Sequence, residues 1–219
     1  MARTRDLTGA IVAVVGATGG LGTPIVAALE SRGATVITAG RSGEVDVLLD
    51  LRDSRSGTDL VAFADGQHGR LDGVVVAAGI VAFGDLAGTD DVVVEELFLT
   101  NAMGPLWLAA RVEAALTASS GFFVNISGVV AETPMPGMAA YSASKAAAAA
   151  AMSAVAKEWR RKKITVTDVR PPHTETGLAT RPLAGTAPDM AQGLAPATVA
   201  DRIVAAIEAG EREVAGSDF

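Results

Sequence analysis

Tyr141 and Lys145 stand four residues apart in the stretch AAYSASKAAAAAA, residues 139–151, and the chain has no other tyrosine. Alanine is the best helix former, so the stretch reads as a helix. Positions i and i+4 lie one turn apart on the same helix face. A free phenol titrates near pH 10, and an ammonium beside it favours the phenolate, so such a pair suits proton transfer closer to neutral pH. By itself the spacing fits an aromatic packed at a helix start and a solvated cation at least as well.

A second set of residues has the pattern of a phosphate cradle. VVGATGGLG, residues 14–22, ends an apolar β-branched run and opens a helical one. Gly16, Gly20 and Gly22 fall where a dinucleotide loop needs bare backbone: one to turn the chain, one to admit a pyrophosphate, one to let helix pack on strand. The helix N-terminus adds free N–H groups and a partial positive charge. Gly19 leaves the spacing compatible with several such fingerprints, and a merely tight turn is the alternative. No Gly-Lys-Ser/Thr follows, which disfavours a P-loop phosphotransfer enzyme. The next strand, ATVITAG, is followed by Arg41 where NAD sites usually carry an acid. A guanidinium can hold a 2′-phosphate that a carboxylate would repel, so NADP(H) is favoured over NAD(H). An exposed surface arginine is the other reading. Asp50 lies either beside the adenine or simply in a loop.

These residues need a scaffold that brings strand ends and helix starts together. Strand-like runs at 10–16, 34–40, 44–51, 71–79, 121–127 and 163–171 alternate with helical ones at 20–33, 55–69, 90–118, 139–161 and 197–210, and EREVAG, 211–216, reads as a last strand. The alternation predicts an α/β fold: one Rossmann-type, doubly wound parallel sheet with helices on both faces. RSGEV is too short for a crossover helix, so that unit reduces to a loop. Residues 1–219 read as one dinucleotide-binding and catalytic domain. Residues 172–197, rich in Gly, Pro and Thr, read as a segment covering a substrate.

Composition narrows the function classes. Of 219 residues, 49% are hydrophobic but only 4% aromatic, as in a closely packed core of small side chains. The net charge of −7, with no basic run beyond RRKK at 160–163, argues against a nucleic-acid partner. RRKK reads as a helix end, where cations suit the dipole. There are no cysteines, which excludes disulfides and thiolate metal sites and fits a reducing, cytoplasmic setting. His68 and His173 have no metal-ligand spacing. The N-terminal apolar run stops at Gly16 without a cleavage signal, and no stretch reads as a membrane span.

With these motifs in order, the chain resembles the short-chain dehydrogenase/reductase family over nearly its whole length. GATGGLG (16–22), VAAG (76–79), NAMG (101–104), NISG (125–128), YSASK (141–145) and RPPHTET (170–176) carry the likeness together. It implies an oxidoreductase that reduces a carbonyl or oxidises the alcohol, with NADPH as the cofactor that Arg41 favours; Leu178, Leu183, Met190 and Leu194 in the covering segment suggest a small, largely apolar substrate, although a loop can also bury such residues in its own packing. Tyr141 would be the proton donor or base. Lys145 would lower its pKa and bind the nicotinamide ribose, and Asn101 would kink its helix and hold a relay water. The cofactor set would be Gly16, Thr18, Gly20, Leu21, Gly22, Arg41, Asp50, Ala78, Gly79, Lys145 and Thr176. The family's helices of this type often pair, which implies a homodimer or homotetramer; the alanines could equally pack inside one chain.

Three positions depart from the family pattern. Its substrate-binding serine corresponds to Gly128, and the nearest hydroxyl, Ser127, is one residue early. A one-residue shift in a strand turns a side chain to the other face. Either Ser127 serves through local adjustment at the strand end or the oxyanion donor is missing. The second case motivates an alternative function, an NADP(H)-binding sensor or scaffold that has lost turnover. Val76 replaces the asparagine that begins the family's VAAG-type motif, and Pro172 stands where the family mostly has glycine. His173 has no assigned role.

Overall fold

The computed structural model describes residues 4–219. Among these, the strands are β1 (Ile11–Val15), β2 (Thr35–Gly40), β3 (Val47–Leu48), β4 (Gly73–Val76), β5 (Phe122–Ile126), β6 (Thr165–Val169) and β7 (Glu213–Val214). They form one parallel sheet in the order β3-β2-β1-β4-β5-β6-β7. Helices α1 (Gly22–Ser31) and α6 (Pro196–Ala209) pack on one face. On the other lie α2 (Ser56–His68), α4 (Gly104–Ser119) and α5 (Ala139–Glu158), with α3 (Asp91–Phe98) leading into α4. This is the Rossmann-type arrangement that the alternation of periods predicts. The order reverses between β1 and β4, so loops leave their C-terminal ends in opposite directions and open a crevice there.

Strands covered on both faces must be apolar throughout, and β1 and β4 are buried at every position. In β5 the period of two sends Phe122 to the α1–α6 side and Phe123 to the other, where its ring meets Trp159 edge-on at 6.1 Å. Ile25, Leu29, Ile203 and Val204 are fully buried between α1, α6 and the sheet, each worth about 1.5–3 kcal/mol. α2 and α6 stop at left-handed glycines, Gly69 and Gly210.

Two elements differ from expectation. The third strand shrinks to two residues, because residues 41–46 form a loop instead of a crossover helix and leave little chain for pairing; Thr38 and Asp46 tie the ends of that loop together. The helix over 90–118 is interrupted by a π-helical turn, Leu99–Met103, that contains Asn101. Such a turn inserts an extra residue and re-aims the following face. The helical run Asp91–Ser119 is long and apolar enough to cross a membrane by length and composition, and half of its most apolar window is buried inside the fold, as in a core helix. α5 ends at Glu158, and Trp159–Lys162 continue as a 3₁₀ turn with Lys162 paired to Glu113 at 2.6 Å.

Candidate active site

α5 supplies Tyr141 and Lys145 from one face, and both are buried, at 8% and 7% exposure. The Lys145 Nζ donates to the Ile126 carbonyl at the end of β5, 2.8 Å away. A Cβ added at Gly79, just beyond β4, would stand 3.2 Å from that Nζ and 3.3 Å from the Asn101 Oδ1. A helix lysine and a π-turn asparagine thus converge on one bare stretch of backbone. Asn101 is locked there: its Oδ1 accepts the Ile80 N–H at 3.0 Å, and its Nδ2 donates to the Ile80 carbonyl at 2.9 Å and to Ser144 Oγ at 3.1 Å. Ser144 Oγ in turn donates to the Tyr141 carbonyl at 2.8 Å. Ser144 therefore splints the tyrosine's turn to the asparagine, a role visible in sequence only as its i+3 place after Tyr141.

Burial controls the protonation of the pair. Desolvation pushes the Tyr141 phenol up to about 12 and the Lys145 ammonium down to about 8, the latter partly offset by the charge of Asp168. The lowering of the phenol expected from its neighbouring cation does not appear; loss of hydration moves it the other way. At neutral pH Tyr141 keeps its proton and Lys145 is mostly charged.

The glycine loop meets the same region from the β1 side. A Cβ at Gly16, whose φ is +86°, would stand 2.7 Å from the Ala78 nitrogen, and one at Gly20 would collide with the Thr176 carbonyl. Gly22 backs onto Gly16 in the same way, with the Gly16 carbonyl carbon 2.8 Å from an added Cβ. Leu21 is half-buried against the α1–α6 core, and Thr18 is exposed. Among the described residues the N–H groups of Gly20 and Leu21, just before α1, find no backbone acceptor. Two free donors at a helix start, with room only for bare backbone, suit a phosphate group.

Gly22→Ala tests this packing. The added methyl forces the loop open, and a loss of about 1–3 kcal/mol in urea unfolding is expected, together with weaker retention on an immobilised nucleotide. Unchanged stability would show that the turn has slack.

Arg41 is exposed at the end of β2, and among the described residues it makes no hydrogen bond or close ion pair, though its charge reaches Asp50. Beside it, a Cβ on Gly43 would approach the Thr18 Cγ2 to 3.6 Å, so this loop borders the glycine turn. Asp50 is gripped by the Arg52 guanidinium, the closest contact 2.7 Å, and that partner holds its carboxyl below the usual range.

Ser127 directs its hydroxyl to a different partner. It is fully buried, and its Oγ donates to Asp168 Oδ2 on β6 at 2.9 Å. Gly128 has a φ of +82°, and a Cβ there would meet nothing nearer than the Pro171 carbonyl at 3.9 Å. The Asn125–Ser127–Asp168 cluster escaped sequence reasoning, although an aspartate inside the strand TVTDV is a signal that could have exposed it.

Residues 172–197 lie across the crevice with their base clasped. Thr174 and Leu194 form a parallel bridge, and His173 faces Glu175 at 3.4 Å. The Leu183 N–H and Phe83 N–H bond to the Val81 and Ala184 carbonyls, respectively, docking the segment on the chain after β4. Leu178, Ala179, Ala184 and Ala187 pack there against a cluster that includes Val81, Phe83, Met138 and Tyr141.

Comparison with known proteins gives a consistent result. A short chain dehydrogenase family model matches residues 10–185. An uncharacterized oxidoreductase of Methylorubrum extorquens is 31% identical over 210 residues, 88% of this chain and 84% of the relative. The cyclic-di-GMP-binding biofilm dispersal mediator protein of Escherichia coli is 32% identical over 183 residues, 77% of this chain and 75% of that one. Among solved structures, a short chain dehydrogenase from Burkholderia cenocepacia in complex with NADP superposes with a TM-score of 0.83 at 25% identity, over 96% of this chain and 89% of that chain.

Proposed function

The chain belongs to the short-chain dehydrogenase family, and on that footing we propose that it is an NADPH-dependent oxidoreductase that reduces the carbonyl, or oxidises the alcohol, of a small, largely apolar substrate. The observation that carries this reading is the convergence of Lys145 Nζ and Asn101 Oδ1 on Gly79, on the helix face that also bears Tyr141. When bound, the nicotinamide supplies the hydride. Arg41 would hold the 2′-phosphate, with Thr18 beside it and Asp50 near the adenine. The Gly20 and Leu21 N–H groups would face the pyrophosphate over Gly16 and Gly22. Ala78, Gly79, Lys145 and Thr176 would border the nicotinamide riboside.

Tyr141, proton-bearing at neutral pH, would give its Oη proton to the carbonyl oxygen as negative charge grows there. Lys145 stabilises the phenolate that remains, and Asn101 belongs to the relay that reprotonates it. Residues 172–197 form the substrate cover. The Thr176 backbone lies against Gly20, so this cover would border the pyrophosphate site. Small residues on α5, among them the exposed Ala143, Ala150 and Ala154, suit pairing into a homodimer or homotetramer.

The test follows NADPH absorbance across a panel of ketones and aldehydes at neutral pH. Consumption with several apolar carbonyls supports the reading, whereas tight NADPH binding without turnover on any of them overturns it. A second reading, a cofactor-binding sensor or scaffold, is supported by one observation: the Ser127 hydroxyl donates to Asp168 and Gly128 has no side chain, so on this reading neither would supply an oxyanion hydroxyl. Losing such a donor costs about 10²–10³ in rate. The Escherichia coli relative named for binding a cyclic dinucleotide is consistent with a binding role on this fold.

Cofactor choice has its own measurement. Arg41→Ala is expected to weaken NADPH binding by about 10- to 100-fold while leaving NADH nearly unaffected, the effect of losing a charge-assisted contact to a phosphate. Equal losses for both nucleotides would remove Arg41 from the 2′-phosphate site.

A further inference from the structure

We propose that Asp168 is a positioning residue for Lys145: by tethering Asn125 and Ser127 it fixes the Ile126 carbonyl, lying between them, that receives the lysine ammonium. The inference rests on the reading of Lys145 as part of the proton-transfer site. Asp168 sits on β6 in register with Asn125 on β5, and only 5% of it is exposed. Its Oδ1 accepts from Asn125 Nδ2 at 3.0 Å, and its Oδ2 accepts from Ser127 Oγ at 2.9 Å and Arg170 Nε at 2.8 Å. Arg170 is braced by Glu132 at 2.6 Å and Glu213 at 3.0 Å. In a strand, residues i and i+2 share a face, so Asn125 and Ser127 form two tethers on either side of Ile126. The Ile126 carbonyl, between the two tethered residues in sequence, accepts from the Lys145 Nζ at 2.8 Å.

A buried carboxylate with three donors is a costly way to join two strands when an apolar pair would pack as well. It has a second effect: the negative charge also acts on Lys145 and opposes the desolvation of the ammonium. The charged or titratable groups around Lys145 are Tyr141 on its own helix and, on β6 and just beyond it, Asp168 with Arg170 paired to it. Asn101 from the π turn, Asn125 from β5 and Gly79 after β4 carry no charge. Removing the carboxylate charge would take away the attraction that opposes desolvation and make the lysine easier to deprotonate.

The lysines of this chain, at 145, 157, 162 and 163, permit a direct reading. With lysine labelled at Cε, the ¹³C shift of the ligand-free protein is titrated, and Lys145→Met identifies the Lys145 resonance. Asp168→Asn is expected to lower the Lys145 midpoint by about one pH unit or more, and Ser127→Ala, which keeps the charge but cuts one tether, by less in the same direction. In turnover, the alkaline limb of kcat would move to lower pH in Asp168→Asn with the carbonyl KM little changed. If Asp168→Asn does not fold cooperatively, Ser127→Ala decides alone. A Lys145 midpoint at the wild-type pH in every folded variant would overturn the proposal. The absence of turnover by wild-type protein would instead overturn the functional reading and leave the titration result standing.

Discussion

Replacing Tyr141 with phenylalanine is expected to lower kcat for carbonyl reduction by about 10²–10⁴-fold, the usual contribution of a positioned general acid, with NADPH affinity unchanged. The change removes one oxygen and keeps the ring, which packs in the apolar cluster with Val81, Phe83 and Met138. The Oη has no hydrogen-bond partner among the described residues, so the substitution leaves no buried donor or acceptor stranded. The fold and the glycine loop therefore stay intact, and the loss isolates proton transfer. Single-turnover mixing of enzyme, NADPH and an apolar ketone measures it. Equal rates in wild type and Tyr141→Phe would exclude the phenol from the chemistry.

The second large effect is a dependence of stability on alkaline pH carried by Lys145. Its ammonium, ordinarily near 10.5, is held at about 8 in the folded chain by desolvation, against the pull of Asp168. Between those values the unfolded chain binds more protons than the folded one, so this group adds stability as pH rises from 8 to 10.5 and withdraws it as pH falls. The shift corresponds to about 3 kcal/mol when the window is crossed completely. Tyr141 acts in the opposite sense at higher pH: raised from 10.0 to about 12, it contributes stability below pH 10 that is lost as pH climbs toward 12. Urea unfolding of the ligand-free protein between pH 7.5 and 10 should show the rise, and Lys145→Met should remove it. The same slope in both proteins would mean that the lysine is better hydrated than its burial implies.

Both predictions concern one buried pair whose protonation is set against its ordinary behaviour. A phenol pushed up to about 12 carries its proton at neutral pH but is a weaker acid than a free one. Lys145 and the positive charge of an oxidised nicotinamide would have to supply the opposite pull for alcohol oxidation.

Much of the fold is legible from residue order, because local patterns have local causes. β-branched runs closed by glycine mark strands, alanine-rich stretches mark helices, and Gly69 and Gly210 end theirs in the left-handed conformation that suits glycine. The same holds for the spacing of Gly16, Gly20 and Gly22 and for Tyr141 one turn before Lys145, since a period of 3.6 or a tight turn involves only near neighbours. What neighbours in sequence could not settle are quantities made by distant chain. The π turn at Asn101 depends on the amide's bonds to Ile80 and Ser144, and the two-residue β3 depends on how far the loop at 41–46 must travel. Ser127 was ambiguous in sequence because a strand end allows either face; its partner, Asp168, lies 41 residues away and turns it inward. Burial by the assembled sheet and helices, not the adjacent ammonium, decides the phenol's pKa. Chemistry-bearing residue types and their periodicity are written locally, whereas protonation and aim come from desolvation and hydrogen bonds that exist only once remote segments meet.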